Sequence, residues 1–304
     1  MPDPWAKRVE LLTGDCLPLM ARMDAGSVDL VFGSPPYEDA RTYGIDVRIK
    51  GQEWVDWMVE VVKASLRVSK GLVAFVVEGR TRWFRYSATP ILLMADLHRA
   101  GVCLRKPPVY ERWGISGSGG PDWWRNRYEF IVCCTNGGKL PWSDNTAMGR
   151  PTKYDEGGPC SNRRQDGSRV GYAPRAQRAL VGSHRAERQA GRRYAKPRSG
   201  IANPGNVIDC GAGGGGNMGS ELCHENEAPF PELLAEWFVR SFCPPDGVVL
   251  DPFIGSGTTA AVALKWGRRA IGIDVRDSQI ELTRRRLKEV TDAAPLFTQE
   301  APRA

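Results

Sequence analysis

Strand-length apolar runs alternate with amphipathic helical patterns near both ends of the chain. The predicted strands cover residues 9–12, 28–32, 72–77, 248–250 and 270–273. The predicted helices cover residues 53–68, 88–100, 231–243, 257–266 and 278–290, and the alternating stretches 107–113 and 127–135 predict a hairpin between the two regions. Strands that alternate with helices tend to pair in parallel, with helices on both faces. The order therefore predicts an α/β fold with a doubly wound, mostly parallel sheet.

Positive charge is concentrated in one segment in the middle of the chain. The 304 residues carry a formal net charge of +7, yet residues 150–200 alone hold thirteen basic and four acidic side chains. The segment is poor in apolar residues and leads into a glycine-rich stretch at 205–219, so we interpret it as a loop-rich basic insertion. Its arginines suit phosphate contacts, although such a run is also typical of a solvated surface. The candidate DNA contacts are Arg163, Arg164, Arg192 and Arg193.

Composition and cysteine usage exclude several classes of protein. Hydrophobic residues make up 41% and charged residues 25% of the chain, as in ordinary globular proteins. No apolar run is long enough to span a membrane and the first ten residues lack the apolar core of a signal peptide, so we expect a cytoplasmic protein. The eight cysteines form no CxxC pair. Cys210 with Cys223 and His224 lacks a second close ligand pair, and no metal site is predicted.

The sequence DPFIGSGTT, residues 251–259, lies between a predicted strand and a predicted helix. Its glycines let a ligand approach the backbone closely, and the helix offers its N-terminal amides. The third glycine of a dinucleotide GxGxxG motif is missing and no lysine follows as in a P-loop, which disfavours nicotinamide and nucleoside triphosphate sites. Asp274 ends the next strand, where a carboxylate either accepts hydrogen bonds from a ribose or is simply exposed to solvent.

The sequence SPPY, residues 34–37, follows the predicted strand 28–32 after a single glycine. Two consecutive prolines exclude both a helix and a strand ladder, so this is a fixed loop at the carboxyl end of a strand. By itself the motif is equally compatible with a rigid turn that carries a surface tyrosine.

Together, SPPY and DPFIGSGTT resemble the loops of the amino-methyltransferases of DNA, which transfer a methyl group from S-adenosylmethionine to an exocyclic nitrogen. The motif order, with SPPY first, the basic segment next and the cofactor loop last, is similar to the group called beta. The resemblance implies the class I methyltransferase fold, S-adenosylmethionine as cofactor and double-stranded DNA as partner. Residues 1–139 would form the catalytic half, 140–220 the target-recognition insertion and 221–304 the cofactor-binding half.

The resemblance also implies roles for individual residues. The catalytic residues would be Ser34, Pro35, Pro36 and Tyr37. The cofactor-binding residues would be Asp15, Cys16, His224, Phe230, Asp251, Phe253, Gly255, Ser256, Gly257, Thr258 and Asp274. Asp15 is similar to an acceptor for the adenine amino group, and His224 to part of the wall of the methionine pocket. A lone histidine such as His224 is also typical of a helix cap.

The chemistry of an exocyclic amine explains why such a loop would promote methyl transfer. The nitrogen lone pair is delocalised into the base, and acceptors for its N–H groups favour a pyramidal, more nucleophilic nitrogen. Ser34 Oγ and the Pro35 carbonyl are suitable acceptors, and Tyr37 offers a flat face to a base rotated out of the duplex. In this family serine at the first position usually goes with cytosine N4 and aspartate with adenine N6. We therefore predict cytosine-N4 transfer without a covalent intermediate, with adenine N6 as the alternative.

Other interpretations remain compatible with the sequence. Pro159 and Cys160 resemble the Pro-Cys nucleophile of cytosine-C5 methyltransferases, but they lie in a polar stretch ahead of the cofactor loop. A nucleic-acid-binding protein that has lost catalysis, or a methyltransferase for RNA or a small molecule, would share the fold. The sequence fits a monomer or a homodimer, a prokaryotic or phage-encoded enzyme, and a protein with or without a companion restriction nuclease.

Overall fold

The computed structural model describes residues 3–39, 49–112, 119–151, 201–210, 218–226 and 228–293. The strands are β1 (Val9–Thr13), β2 (Val28–Gly33), β3 (Ser69–Val77), β4 (Thr81–Arg82), β5 (Arg85–Tyr86), β6 (Cys103–Leu104), β7 (Val109–Glu111), β8 (Tyr128–Thr135), β9 (Arg150–Pro151), β10 (Ile201–Ala202), β11 (Val207–Asp209), β12 (Val248–Asp251) and β13 (Arg269–Asp274). The α-helices are α1 (Cys16–Ala21), α2 (Gln52–Val68), α3 (Thr89–Arg99), α4 (Glu232–Phe242), α5 (Thr258–Lys265) and α6 (Asp277–Ala293).

One large sheet organises these elements, with the strand order β1-β13-β12-β2-β3-β8-β7-β11 and with β6 also paired to β8. Neighbours from β1 to β3 are parallel, whereas β8 runs antiparallel to both β3 and β7. The predicted α/β class and the mostly parallel sheet are confirmed. The predicted hairpin is confirmed as the β7–β8 pair.

Helices cover both faces of the sheet, each over its own apolar core. On one face, α2 buries Trp54, Met58 and Val62 together with α1 and α3. On the other face, α4 packs over β2, where the Phe238 ring stacks on Phe32 with 4.6 Å between the ring centroids, while α5 packs over β12 and β13 and α6 over β1 and β13. Complete burial of such a side chain contributes about 1.5–3 kcal/mol. These two layers hold the carboxyl ends of the parallel strands in fixed positions.

The fold brings the two loops identified in the sequence to the same edge of the sheet. The chain leaves β12 towards β13 and leaves β2 towards β3, in opposite directions, so the strand order reverses between β12 and β2. In open α/β sheets, ligands bind outside the carboxyl ends of the strands at such a reversal. SPPY follows β2 and DPFIGSGTT begins in β12, and both therefore lie at this point.

The chain divides into two compact units, residues 1–147 with 205–304, and residues 148–204. In the second unit the described residues include the short antiparallel pair of β9 and β10. The predicted domain boundaries at 139/140 and 220/221 stay a prediction. None of the helices within the described ranges has the length and apolar character that a membrane crossing requires. The same ranges contain no group of three or more His, Cys, Asp or Glu side chains suited to a metal ion.

Candidate active site

A pocket of about 380 Å³ opens where the strand order reverses. Ten of the fifteen predicted catalytic and cofactor-binding residues line it: Asp15, Cys16, Ser34, Pro36, Phe230, Phe253, Gly255, Ser256, Thr258 and Asp274. Its size lies within the range of small-molecule sites, and a mainly apolar lining with a few polar groups is typical of them. The pocket therefore joins the SPPY loop to the 251–259 loop in one cavity.

Asp274 holds the cofactor loop in place at the end of β13. Its Oδ2 accepts a hydrogen bond from the Gly255 amide at 3.1 Å, and its Oδ1 accepts one from the Arg276 amide at 3.0 Å. Burial raises the pKa of the carboxyl, while these amides and the Arg276 charge oppose the rise. Because each carboxylate oxygen has more than one lone pair, both can still accept from a ligand.

Asp251 has a different position, below the pocket and completely buried. Its Oδ1 accepts from the Phe253 amide at 2.9 Å, and its Oδ2 accepts from the Thr259 hydroxyl at 2.6 Å. A Cβ atom on Gly33 would lie 2.3 Å from Asp251 Oδ1, so the glycine before Ser34 is needed for this close approach. Asp251 thereby braces the cofactor loop from beneath and also touches the strand that carries SPPY.

The burial of Asp251 predicts a characteristic pH dependence of stability. Desolvation raises the pKa of its carboxyl to about 7, so the folded state keeps a proton that the unfolded chain releases near pH 4. The free energy of unfolding should therefore fall as the pH rises from about 4 to about 8. Asp251→Asn should remove up to about 4 kcal/mol of this fall.

Urea denaturation across this pH range measures the effect. Asp277→Asn is the matched control, because Asp277 is an exposed carboxylate. An Asp251→Asn protein whose stability changes with pH as much as that of the control would contradict the prediction.

Arg286 of α6 ties the cofactor loop to its surroundings, although its side chain is completely buried. Its Nη1 donates to Thr258 Oγ1 at 2.8 Å. Its Nη2 donates to Glu232 Oε1 and to the Met218 carbonyl, both at 2.9 Å. Nearby, a Cβ atom on Gly257, which has φ +81°, would lie 2.8 Å from Thr283, so this turn requires glycine. The cofactor loop is therefore fixed by α5, which follows it in the chain, and by α6, which packs beside it.

The SPPY loop is held by contacts from two neighbouring elements. The Ser34 hydroxyl donates to the Val76 carbonyl in β3 at 3.3 Å. The Trp54 indole N–H donates to the Pro36 carbonyl at 2.9 Å. Because the Ser34 proton is used in this way, both lone pairs of Oγ remain available to accept from a ligand.

Tyr37 belongs to a polar cluster at the ends of β3 and β8. Its hydroxyl donates to Glu129 Oε2 at 2.7 Å, and Arg112 forms an ion pair with the same carboxylate. Burial and the Glu129 charge raise the pKa of the neighbouring Glu78 to about 7. The cluster fixes the orientation of the tyrosine ring at the end of the SPPY loop.

Five of the predicted residues do not line the pocket. Pro35 is buried within the SPPY loop, and Asp251 and Gly257 support the cofactor loop from behind. Tyr37 is directed to Glu129, and the His224 side chain is 60% exposed, with Glu221 4.0 Å away. The roles assigned to all fifteen residues stay predictions. The four candidate arginines of the insertion, and Cys160, lie outside the described residues.

Several lining residues were not anticipated from the sequence. The described ones include Ile49, Trp57, Asn226, Val275 and Arg276. The Trp57 ring lies 5.7 Å from that of Phe253, and both side chains line the pocket together with Val275 and Cys16, a part of the lining that we call the apolar slot. Burial raises the pKa of the Cys16 thiol to about 12, so the thiol lines the slot as a neutral group. The Asp274 carboxylate lines the same pocket, which therefore combines apolar surface with a hydrogen-bond acceptor.

The comparison with known families decides the identity of the chain. The model of the family described as "DNA methylase" matches residues 28–285, which include both loops and most of the residues that line the pocket. The chain belongs to this family. It is therefore a DNA methyltransferase of the N4-cytosine and N6-adenine type, and its cofactor is S-adenosylmethionine.

The sequence similarity between the methyltransferase and its relatives covers most of its length. The DNA adenine methyltransferase YhdJ of Escherichia coli is 26% identical over 91% of this chain and 82% of its own length. The orphan methyltransferase M.BamHII of Bacillus amyloliquefaciens is 26% identical over 86% of this chain and 89% of its own.

Solved structures share the fold of the methyltransferase. The cytosine-N4-specific PvuII DNA methyltransferase aligns with a TM-score of 0.65 and 17% identity over 94% of this chain and 90% of its own. A DNA modification methylase of Thermus thermophilus, in complex with S-adenosyl-L-methionine, aligns with a TM-score of 0.56 and 22% identity over 92% of this chain and 93% of its own.

Asp274→Ala of the methyltransferase should weaken S-adenosylmethionine binding. The change removes the carboxylate that is predicted to accept from the ribose, and it removes the anchor of the Gly255 amide. A charge-assisted hydrogen bond of this kind contributes about 1.5–3 kcal/mol, which corresponds to a dissociation constant roughly ten- to a hundredfold higher. Calorimetry measures the constant, with Asp277→Ala as the control. An unchanged constant for Asp274→Ala would remove this carboxylate from the cofactor site.

Proposed function

We propose that this methyltransferase transfers the methyl group to N4 of cytosine in DNA. The observation that carries the proposal is a serine at the first position of the SPPY loop, where Ser34 lines the pocket. The hydrogen bond to Val76 holds the hydroxyl oxygen in place and leaves its lone pairs available. A neutral acceptor in this position suits the N–H group of an amine that must become more nucleophilic.

Different residues of the SPPY loop have different roles in activating the amine. Ser34 Oγ accepts one amine N–H, and the Pro35 carbonyl, fixed by the two prolines, accepts the other. Tyr37 stacks on the extruded base, and its hydrogen bond to Glu129 keeps the ring from turning away. The proposed gain comes from positioning and from hydrogen bonds that strengthen as charge develops on the nitrogen.

The residues around the pocket fit S-adenosylmethionine. Asp274 would accept from the ribose, the slot of Trp57, Phe253 and Val275 would enclose the adenine, and Asp15 would accept from its amino group. The methionine part would lie towards Ser256, Thr258 and Phe230. When bound, this cofactor supplies an electrophilic methyl group on a sulfonium, so no covalent enzyme intermediate is required.

Transfer to N6 of adenine is the second candidate. It is supported by the relative YhdJ, a DNA adenine methyltransferase whose similarity extends over 91% of this chain. Adenine presents the same kind of exocyclic amine, so the Ser34 and Pro35 acceptors would serve it in the same way.

Analysis of modified DNA distinguishes the two candidates. The protein is expressed in a host that lacks other methyltransferases, and its DNA is digested to nucleosides and weighed. N4-methylcytosine is expected, and sequencing with modified-base detection then gives the target site. The Asp274→Ala variant in the same host is the control. N6-methyladenine as the product would refute the cytosine assignment and leave the cofactor site unchanged.

We also propose that the basic insertion, residues 140–220, contacts the DNA backbone through Arg163, Arg164, Arg192 and Arg193. Neutralising Arg192 and Arg193 together should weaken binding to all DNA sequences. The slope of log K against log salt should become shallower by about 0.9 for each phosphate that the variant no longer neutralises, while base preference is retained. Binding isotherms at several salt concentrations measure this slope. A slope equal to that of the wild type would show that this pair does not contact phosphates.

A further inference from the structure

An exposed group of large aromatic side chains stands beside the active site without a role in the function described so far. Trp83 and Phe84 form the turn of the β4–β5 hairpin and are 87% and 70% exposed. Trp124 is 95% exposed, and Trp123 packs edge-on against Phe84 with 5.5 Å between the ring centroids. Large apolar side chains exposed together usually mark an interaction surface. We call these four residues the aromatic tip.

The backbone of the hairpin is arranged to present these side chains. Trp83 and Phe84 have φ angles of +51° and +61°, a conformation that bulky residues rarely adopt. A two-residue turn of this type normally contains Asn and Gly. Strained turns of this kind persist where the surrounding structure enforces them and are concentrated at functional sites. Two bulky aromatic residues at such positions therefore point to selection for what their side chains contact.

The hairpin is joined directly to the SPPY loop. Arg80 and Arg82 donate to Asp39 Oδ2 at 2.9 and 3.1 Å, and the Arg80 amide donates to Glu38 at 3.3 Å. Glu38 and Asp39 are the two residues that follow Tyr37. The hairpin also follows β3, whose Val76 carbonyl accepts from Ser34. The aromatic tip is therefore held at a fixed position relative to the residues that would engage the target base.

Charge indicates the kind of partner. Residues 79–87 contain Arg80, Arg82 and Arg85 and no acidic residue, whereas Asp122 and Arg125 on either side of the Trp123–Trp124 pair offset each other. Arginine side chains next to aromatic rings suit a polyanion that offers flat bases, because the rings stack on bases while the guanidinium groups contact phosphates. DNA with one base rotated out of the stack has a gap of the size of an aromatic ring. Apolar side chains that enter the base stack are an established way to hold a distorted duplex.

We infer that the aromatic tip enters the base stack of duplex DNA and fills the space that the target base leaves when it moves into the pocket. This inference rests on the proposed transfer to a base in DNA. Trp83 and Phe84 occupy the gap, Trp123 supports Phe84 from the side, and Arg85 of the hairpin contacts the adjacent backbone. The tip thus offsets the stacking that the duplex loses when the base is extruded.

A variant with a relaxed turn tests the inference without disrupting the fold. Trp83→Asn with Phe84→Gly places favoured residues in the turn, so the melting temperature should stay the same or rise. Single-turnover methylation is measured on two DNA duplexes, both of which contain the target site that modified-base sequencing has identified. One has the target base normally paired, and the other has an abasic site opposite it, which makes extrusion easy. The variant should be about ten- to a hundredfold slower on the paired duplex and close to wild type on the other.

A second measurement separates the outcomes. Fluorescence of 2-aminopurine at the target position reports extrusion in the bound complex without methyl transfer. The fluorescence should be lower with the double variant than with the wild type. It should be unchanged with Ile91→Ala, an exposed apolar control on α3.

Equal rates for variant and wild type, or an equal loss on both duplexes, would overturn the inference. Loss of a dimer with unchanged methylation would instead assign the tip to a second copy of the chain and also overturn it. A product on adenine would refute only the proposed cytosine specificity, since the comparison of duplexes still decides the role of the tip.

Discussion

Replacing Arg286 by methionine is expected to destabilise the protein by about 3–5 kcal/mol, because the change leaves buried polar groups without their partner. Glu232 keeps its ion pair with Lys265, but Thr258 Oγ1 and the Met218 carbonyl each lose a donor. Methionine fills a similar volume, so the loss reports mainly on the hydrogen bonds and the charge. Urea denaturation measures the change in the free energy of unfolding.

Arg285 provides the matched control for this experiment. It is adjacent in sequence and forms an ion pair with Glu225, but both side chains are half exposed. Exposed ion pairs contribute about 0–1 kcal/mol, so Arg285→Met should change stability little. Arg286→Lys should be intermediate, because lysine keeps the charge but cannot reproduce the fork of the guanidinium group. If Arg286→Met were as stable as Arg285→Met, the buried network would not hold the fold together.

A second readout separates support of the cofactor loop from stability alone. At a temperature where the variant is fully folded, Arg286→Met should bind S-adenosylmethionine more weakly, because Thr258 and Ser256 line the pocket and contact the guanidinium group. A variant that is less stable but binds the cofactor with an unchanged dissociation constant would assign Arg286 a purely structural role.

The position of the two loops was predictable from the sequence because each directly follows a strand. In a parallel sheet the carboxyl ends of the strands lie on one edge, so SPPY after β2 and DPFIGSGTT at the end of β12 had to be close once the strand order was known. Asp274 was predictable for the same reason, since it ends β13. Local periodicity and chain direction were sufficient for these positions.

Arg286 was not predicted, because sequence patterns assign arginine to solvent. The signal was nevertheless present in α6, where Thr283, Arg286 and Leu287 share one helical face at spacings of three and four residues. A charged residue on an apolar helical face indicates either that its side chain has a polar partner in the core or that the wrong face has been assigned as buried. Its partner, Glu232, is 54 residues away in the sequence, and local patterns carry no information about such a contact.

The surroundings of Trp57 and Glu129 also could not be predicted from local sequence patterns. Trp57 lies on α2 next to core residues, and its periodicity predicts packing rather than a ligand site, yet it lines the pocket. Glu129 lies in β8, where a buried acid is unexpected, and its partner Tyr37 is 92 residues away. Residues that act through distant partners can be found only when the sheet order places those partners together.

Replacing Ser34 by alanine is expected to slow methyl transfer by about ten- to a thousandfold in a single turnover, as the loss of one oriented hydrogen-bonding group does in other active sites. The hydroxyl donates to Val76, so its lone pairs would accept from the amine in the proposed mechanism, and the effect of that hydrogen bond would be largest when charge develops on nitrogen. The variant should therefore fold normally and bind both cofactor and DNA with unchanged dissociation constants. Rapid-quench measurement of the methylated nucleoside gives the rate.

Two further variants show whether the hydroxyl itself is responsible. Ser34→Thr keeps the hydroxyl and should retain part of the rate, whereas Tyr37→Ala should lower the affinity for DNA with an extruded base, because stacking on an aromatic ring contributes about 1–3 kcal/mol. If Ser34→Ala reacts at the wild-type rate, the hydroxyl does not polarise the amine, and the loop acts through the Pro35 carbonyl and Tyr37 alone. A slow Ser34→Ala together with a faster Ser34→Thr would identify a hydroxyl oxygen, held by the carbonyl at the end of β3, as the group that accepts from the target amine.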